Sequence, residues 1–287
     1  MPVYNGARYL RGALEALEAQ TFSDLELVIS DNASTDGTDD ICREFAARDP
    51  RIRYVRHSQT TEASANFTFA LHEARAGYFM WAAHDDLWSP NLVAALHAAM
   101  QQSPRAVSAQ GECVLIDSDG RELRRGLPNP AMGAPAARTR VVRVMRYGAA
   151  DRYNNMFIYG LHRTPLLQRF GIRPVRFARP GESRYNEVPL MFALAATGAM
   201  IVVPGAQFCS RLHAAQYSQR SERGVPFGDL LRLEFGLLAS VPGAVWRGSR
   251  SMTATASAAA VVAAVRARYL AGLAKTRLGF AGRPDER

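Results

Sequence analysis

Apolar positions along the first hundred residues alternate between two periods. Leu10, Leu14 and Leu17, spaced by four and three, predict an amphipathic helix over Ala7–Ala19. Glu26–Ser30 (ELVIS) predicts a short buried strand that runs into the polar segment Asp31–Thr38, a loop ending in helix-capping residues. A helix to about Ala47, a strand at Ile52–Arg56 and a helix around Ala65–Ala74 follow. The unbroken apolar run Tyr78–Ala83 (YFMWAA) has the pattern of a strand covered on both faces. Ser89-Pro90 then predicts a helix start, with Ser89 as N-cap and Pro90 at the first helical position, and Leu92, Val93, Leu96 and Met100 on its buried face.

Beyond residue 105 the alternation weakens. Val107–Ile116 predicts a strand, Asp117–Gly120 a turn, and the breaker-rich stretch Leu127–Pro135 a loop or mobile flap. Glu187–Gly198 predicts a helix, Met200–Val203 a strand, and Phe227 onward mostly helix. Alternating strands and helices of this kind imply an α/β fold, a mostly parallel sheet flanked by helices, with a helical C-terminal extension. The expected division is residues 1–110, 111–225 and 226–287. Ligands of open parallel sheets bind beyond the carboxyl ends of the strands, where Pro2–Gly6, Asp31–Thr38 and His84–Asp86 are all expected.

Composition narrows the class. With 48% hydrophobic and 21% charged residues over 287 positions, the chain has the make-up of a globular protein. Its three cysteines, Cys42, Cys113 and Cys209, form no CxxC pairing and suit a reducing compartment rather than a disulfide framework. No charged-then-apolar leader pattern opens the chain, and no stretch reaches the roughly 20 apolar residues of a membrane span. The expected location is therefore the cytoplasm. Seven of the nine excess positive charges lie between Trp246 and Pro284, which contains no acidic residue. The remainder is nearly balanced, which disfavours nucleic acid as a partner. The basic tail, with Val261, Val265, Leu270 and Leu273 as its apolar side, is expected to pack on its own domain, to meet another copy, or to lie on an anionic membrane surface.

Adjacent carboxylates after an apolar run, such as Asp85 and Asp86, are expensive unless a positive group meets them. A divalent cation shared with substrate phosphates is the natural partner; a plain turn or capping role is the alternative. The surrounding residues resemble a family 2 glycosyltransferase of the GT-A type. The matching positions are Pro2-Val3-Tyr4-Asn5 with Tyr9-Leu10, Gln20-Thr21-Phe22, Glu26–Thr38, Arg51–Tyr54, Asn66 and Tyr78–Pro90, in order and at the usual spacings over about the first 100 residues.

The resemblance implies a nucleotide-sugar donor held by Pro2, Tyr4, Asn5, Asp31, Ser34, Asp36, Asn66, Asp85 and Arg211. It implies manganese or magnesium on Asp86 with His213, the latter from an Arg211-Leu212-His213 segment that Ser218 follows. It implies Glu187 as the base of an inverting transfer, with Glu182 as competitor and a plain helix-terminal carboxylate as the alternative. The acceptor would be a glycan or lipid-linked molecule in cell-surface polysaccharide biosynthesis. This chain carries Ala83 and His84 where many members have a further Asp. In the family a strand precedes the PVYN loop; only Met1 does so here, so a segment ahead of it is expected to be missing. Two rivals stand beside this reading. One is a nucleotidyltransferase, although Pro2–Arg11 offers only Gly6 and two arginines as a phosphate loop. The other is a membrane-docked binding module without catalysis.

Overall fold

The computed structural model describes residues 1–128, 130–148, 156–173, 187–213 and 227–277. Helix α1 (Ala7–Glu18) buries Leu10, Ala13, Leu14 and Leu17, the stripe predicted for it. Strands β1 (Pro2–Val3), β2 (Leu27–Asp31) and β3 (Ile52–Arg56) form a parallel three-stranded sheet with β2 central and buried along its whole length. Pro2 lies opposite Ser30, Val3 opposite Asp31, and Leu27 opposite Ile52. Met1 is buried, and its amino nitrogen donates to Val28 O at 2.6 Å. Helices α2 (Thr38–Arg48) and α3 (Ala63–His72) complete this half. Because β2 runs one residue beyond the predicted Ser30, Asp31 belongs to the strand and its side chain is fully buried.

The second sheet departs from the predicted pattern. Its order is β4 (Tyr78–Phe79), β8 (Leu161–Arg163), β6 (Ala106–Ile116), β9 (Ala199–Arg211), β5 (Leu87–Trp88), with β7 (Glu122–Gly126) hairpinned onto β6. Only β6 and β9 run parallel; the other pairings are antiparallel. The YFMWAA run is therefore a two-residue strand followed by irregular chain. It is apolar because Trp81 and Ala82 are buried, the indole donating to Phe67 O at 3.1 Å.

Helix α4 starts at Leu92 and ends at Gln102, two residues later than predicted. Gln20, at the end of α1, does the work expected of Ser89: its Oε1 accepts from Val93 N–H at 3.1 Å and its Nε2 donates to Ser89 O at 2.9 Å. Ser89 Oγ instead accepts from Gln207 N–H at 2.8 Å, joining the β5 end to β9. The predicted flap contains a 3-10 turn at Pro130–Gly133 whose Met132 is buried in the core, so this part is anchored.

The remaining helices are α5 (Ala137–Gly148), α6 (Thr164–Phe170), α7 (Glu187–Thr197), α8 (Phe227–Ser249) and α9 (Met252–Arg277). Helix α7 is buried continuously from Pro189 to Ala196, as a helix apolar all round must be. The buried Arg140 donates to Ala195 O at 2.6 Å and to Ala134 O and Pro135 O at 2.7 Å, satisfying carbonyls at the α7 terminus. Helix α8 crosses α7 closely at Gly248, where a β-carbon would stand 2.5 Å from Ala193 O. Along α9 the side chains of Ala254, Ala258 and Val262, four residues apart, are buried, and Arg138 Nε donates to Ser257 Oγ at 3.1 Å. The first part of the tail thus packs on its own fold through alanines; Val261 is half-buried, and the side chains of Val265, Leu270 and Leu273 lie outside the described ones. Among the described residues no helix is long and apolar enough to cross a membrane.

Candidate active site

Two loops at the carboxyl ends of β1 and β2 are laced together by side chains. Asn5 N–H donates to Ser34 Oγ and Thr35 N–H to Asn5 Oδ1, both at 2.9 Å. Asn5 sits at φ 49°, in the left-handed region that asparagine tolerates best among residues with a side chain. Asp36 joins two helix starts: Oδ2 accepts from Ala7 N–H at 3.0 Å, and Oδ1 from the Thr38 hydroxyl at 2.6 Å and Thr38 N–H at 3.2 Å. Burial alone would raise the Asp36 carboxyl, but these hydrogen bonds outweigh it and hold the group below its ordinary range. Asp31 lies underneath, with Oδ1 accepting from Ser34 N–H at 3.0 Å and Oδ2 from Tyr54 OH at 2.8 Å. Above this frame the Tyr4 ring stands 50% exposed.

The Asp85–Asp86 segment adjoins these loops through His84, whose ring packs on Gly6 so tightly that a β-carbon there would stand 2.5 Å from Cδ2. The two carboxylates then diverge. Asp85 Oδ2 meets His213 Nε2 at 2.9 Å, and the His213 ring rests on Tyr9 with centroids 4.8 Å apart. Asp86 is only 2% exposed and its Oδ1 accepts from Arg211 N–H at 2.8 Å. Burial first, and repulsion from Asp85 second, push the Asp86 carboxyl well above its ordinary value. Burial likewise lowers His84, with the Asp85 charge opposing it.

Glu187 is the first residue of α7 and is half-buried. It lies within electrostatic reach of Tyr159, as do Asp85 and Asp86. Burial first, then these three carboxylates, raise the phenol above its ordinary value. The Tyr159 ring stacks on Phe208 with centroids 5.3 Å apart. Nothing in the sequence singled out Tyr159. Glu182, Tyr185, Asn186 and Ser218 lie outside the described residues.

A comparison with protein families matches residues 1–160 to the model described as Glycosyl transferase family 2. The chain belongs to glycosyl transferase family 2. Among curated relatives, the glycosyltransferase GlyA of Streptococcus pneumoniae is 32% identical over 120 residues, 42% of this chain and 17% of that protein. An uncharacterized glycosyltransferase of Rickettsia felis is 27% identical over 135 residues, 46% of this chain and 22% of that protein. The matches thus span less than a quarter of these two relatives' length. Among solved structures, S. aureus TarS 1-349 in complex with UDP-GlcNAc superposes with TM-score 0.64 at 15% identity, covering 94% of this chain and 71% of that one. The mannosyltransferase PcManGT from Pyrobaculum calidifontis, in complex with GDP-Man and Mn2+, superposes with TM-score 0.51 at 19% identity, covering 95% and 78%. These likenesses show the GT-A fold. Family membership leaves the nucleotidyltransferase alternative without support.

Within the family 2 frame, three of the residues assigned from sequence also have partners inside the fold. Asn66 is buried, and its carboxamide accepts from Ser30 Oγ at 2.5 Å and donates to Ser30 O at 3.0 Å and Val3 O at 3.5 Å. It staples α3 to the ends of β1 and β2. Arg211 directs its guanidinium onto the carbonyls of Asp85 (2.9 Å), Asp117 and Ser118 (3.1 Å each), with Tyr9 stacked 4.8 Å away. It braces the aspartate segment against the β6–β7 turn through Nε and Nη1. Of the pair, Asp86 is 2% and Asp85 8% exposed, and it is Asp85 that meets His213.

The donor chemistry around Asp85 fits the expected cation. Asp85 and His213 offer one carboxylate and one imidazole, and His213 Nδ1 is buried without a hydrogen-bond partner among the described residues. No three His, Cys, Asp or Glu side chains converge as a ligand set among the described residues. Such a pair suits a divalent ion that takes its remaining ligands from a diphosphate and water, not one held by an all-protein cage.

Proposed function

We propose that the chain transfers a sugar from a nucleoside-diphosphate donor to a hydroxyl of a glycan or lipid-linked acceptor in cell-surface polysaccharide biosynthesis, with inversion at the anomeric carbon. The observation that carries this is the joining of the Pro2–Gly6 and Asp31–Thr38 loops to the Asp85–His213 pair through the His84–Gly6 contact. This forms one continuous polar rim at the strand ends, where such ligands bind. The UDP-GlcNAc and GDP-Man complexes of the two structural neighbours support the donor class.

In this reading the exposed Tyr4 ring stacks on the base, Pro2 sets the loop, and Asn5, Ser34 and Asp36 keep it shaped, with Asp31 orienting the frame from below. Asp85 and His213 hold manganese or magnesium together with the donor; the Mn2+ in the PcManGT complex supports this. When bound, the cation supplies charge neutralisation for the departing diphosphate. Glu187 accepts the proton of the acceptor hydroxyl as its oxygen bonds to the anomeric carbon. The bond from that carbon to the diphosphate oxygen breaks, and the nucleoside diphosphate leaves with the electron pair.

The test is nucleoside-diphosphate release from UDP-, GDP- and dTDP-sugars by the wild type, Glu187→Gln and Asp85→Asn. Release from one donor class, reduced at least about a hundredfold in each variant, is the expected result. Full release by both variants would remove the assigned roles; no release from any donor would favour a binding module without catalysis.

A further inference from the structure

Helix α8 has two faces of opposite character. Gly236, Leu237, Val241, Ala244 and Val245 are buried against the fold. On the other side Phe235 is 59% and Trp246 41% exposed. Eleven residues at ~100° each bring these two rings to within about 20° of one another around the helix, ~16 Å apart along it. Met252, the first residue of α9, is 78% exposed. These three are half of the large apolar side chains that the described surface exposes so freely. Scattered single exposures need no explanation, but an aligned aromatic stripe does.

Glu234 directly precedes Phe235, but the charge that follows the stripe has one sign. From Phe235 to Pro284 the sequence holds seven basic residues and no acidic one. The Arg250 guanidinium lies 5.9 Å from the Trp246 ring centroid, and Arg169 Nη2 donates to Arg247 O at 3.4 Å. Arg173 is close enough to act on Arg247 by like-charge repulsion. Among the described residues none of Arg169, Arg173, Arg247 and Arg250 is paired with a carboxylate. Four arginines gathered without a counter-charge among the described residues, beside exposed Trp and Phe, are complementary to a surface that is anionic outside and apolar beneath.

We propose that the outer face of α8, with the α8–α9 junction, docks on an anionic phospholipid surface, Phe235, Trp246 and Met252 entering the headgroup boundary and Arg247 and Arg250 meeting lipid phosphates. The contact is peripheral. It also relocates the membrane contact expected of the tail: the early part of α9 turns its regular face into the protein, whereas α8 leaves its aromatic one outside.

The test uses the full chain with extruded vesicles of phosphatidylcholine alone and of phosphatidylcholine with a quarter phosphatidylglycerol. Of the three tryptophans Trp81 and Trp88 are buried, so Trp246 reports the surface. Co-sedimentation with the anionic vesicles, a blue shift of emission and protection from acrylamide quenching are the expected results. Arg247→Glu with Arg250→Glu should weaken partitioning by ~tenfold or more, and Phe235→Ser with Met252→Ser should abolish the blue shift at unchanged melting temperature. Equal binding to both vesicle types, no binding to either, or a concentration-dependent blue shift without vesicles, which indicates a second copy on this face, would overturn the proposal. None of these outcomes depends on donor turnover.

Discussion

Replacing Gly6 by alanine tests the link between the two halves of the proposed donor site. The backbone of Gly6 is at φ −101°, which alanine accepts, so the consequence is steric. The added β-carbon would stand 2.5 Å from His84 Cδ2, 2.7 Å from Val3 Cγ2 and 3.0 Å from His84 Cγ. Ordinary contact begins near 3.4 Å, so His84 must yield by about 1 Å, or β1 must. Overpacking of this size costs about 1–3 kcal/mol. At ~2–4 °C per kcal/mol for a chain of this order, the melting temperature should fall by roughly 2–12 °C. Asp85 follows His84 directly, and a displacement of ~1 Å there should lower donor turnover about ten- to a hundredfold. Gly12→Ala is the control: its β-carbon would come no closer than 4.0 Å to Leu87 Cδ2, inside α1. Removing that helix-interior glycine should add about 0.5–1 kcal/mol with turnover unchanged. Thermal melts and steady-state release of nucleoside diphosphate measure both effects. Gly6→Ala that melts with the wild type and turns over normally would refute the coupling of the PVYN loop to the aspartate pair.

Asp36→Ala removes the acceptor of Thr38 and Ala7 and should cost about 1 kcal/mol in chemical denaturation at neutral pH. Because the folded carboxyl lies below its ordinary 3.8, its contribution is full above that pH and is lost as pH falls through the folded value. The variant should therefore lack that part of the wild type's acid slope. Asp86→Asn should have the opposite signature. The folded Asp86 carboxyl lies well above 3.8, so its contribution is full below 3.8 and lost as pH rises through the folded value. The variant should match the wild type at acid pH and exceed it in melting temperature at pH 7. Arg211→Lys cannot reach three carbonyls with one ammonium. It should lower stability by about 2–3 kcal/mol and weaken donor binding only through the loosened Asp85 segment, seen as a stability loss at saturating donor.

Local pattern carried the elements whose partners lie nearby. Strand β3 and helix α1 follow from period and breakers. The loops Pro2–Gly6 and Asp31–Thr38 were legible as polar clusters at strand ends, and the structure does lace them together. What misled was long-range. The YFMWAA run is apolar because one indole is buried, and its strand pairs with residues 161–163, more than eighty positions later. The cap of α4 comes from Gln20, 73 positions before the N–H it accepts from. Asn66 and Arg211 are polar residues in the right register, but the carbonyls they brace are set by the tertiary fold. Tyr159 lacked any signal, since only the tertiary fold brings three carboxylates within electrostatic reach of a tyrosine. Asp85 and Asp86 were visible as a pair, but which of them is tied to Arg211 and which to His213 depends on residues more than 120 positions later.

The account turns on Asp85 and His213 gripping a cation shared with a nucleoside diphosphate. Calorimetric titration of UDP, GDP and dTDP into the wild type and Asp85→Asn, with and without manganese, addresses this directly. The account predicts that one nucleoside diphosphate binds the wild type at least about tenfold more tightly with manganese, a gain of ~1.4 kcal/mol, and that Asp85→Asn loses this gain. Equal affinity with and without manganese, or the full gain retained in the variant, would contradict it.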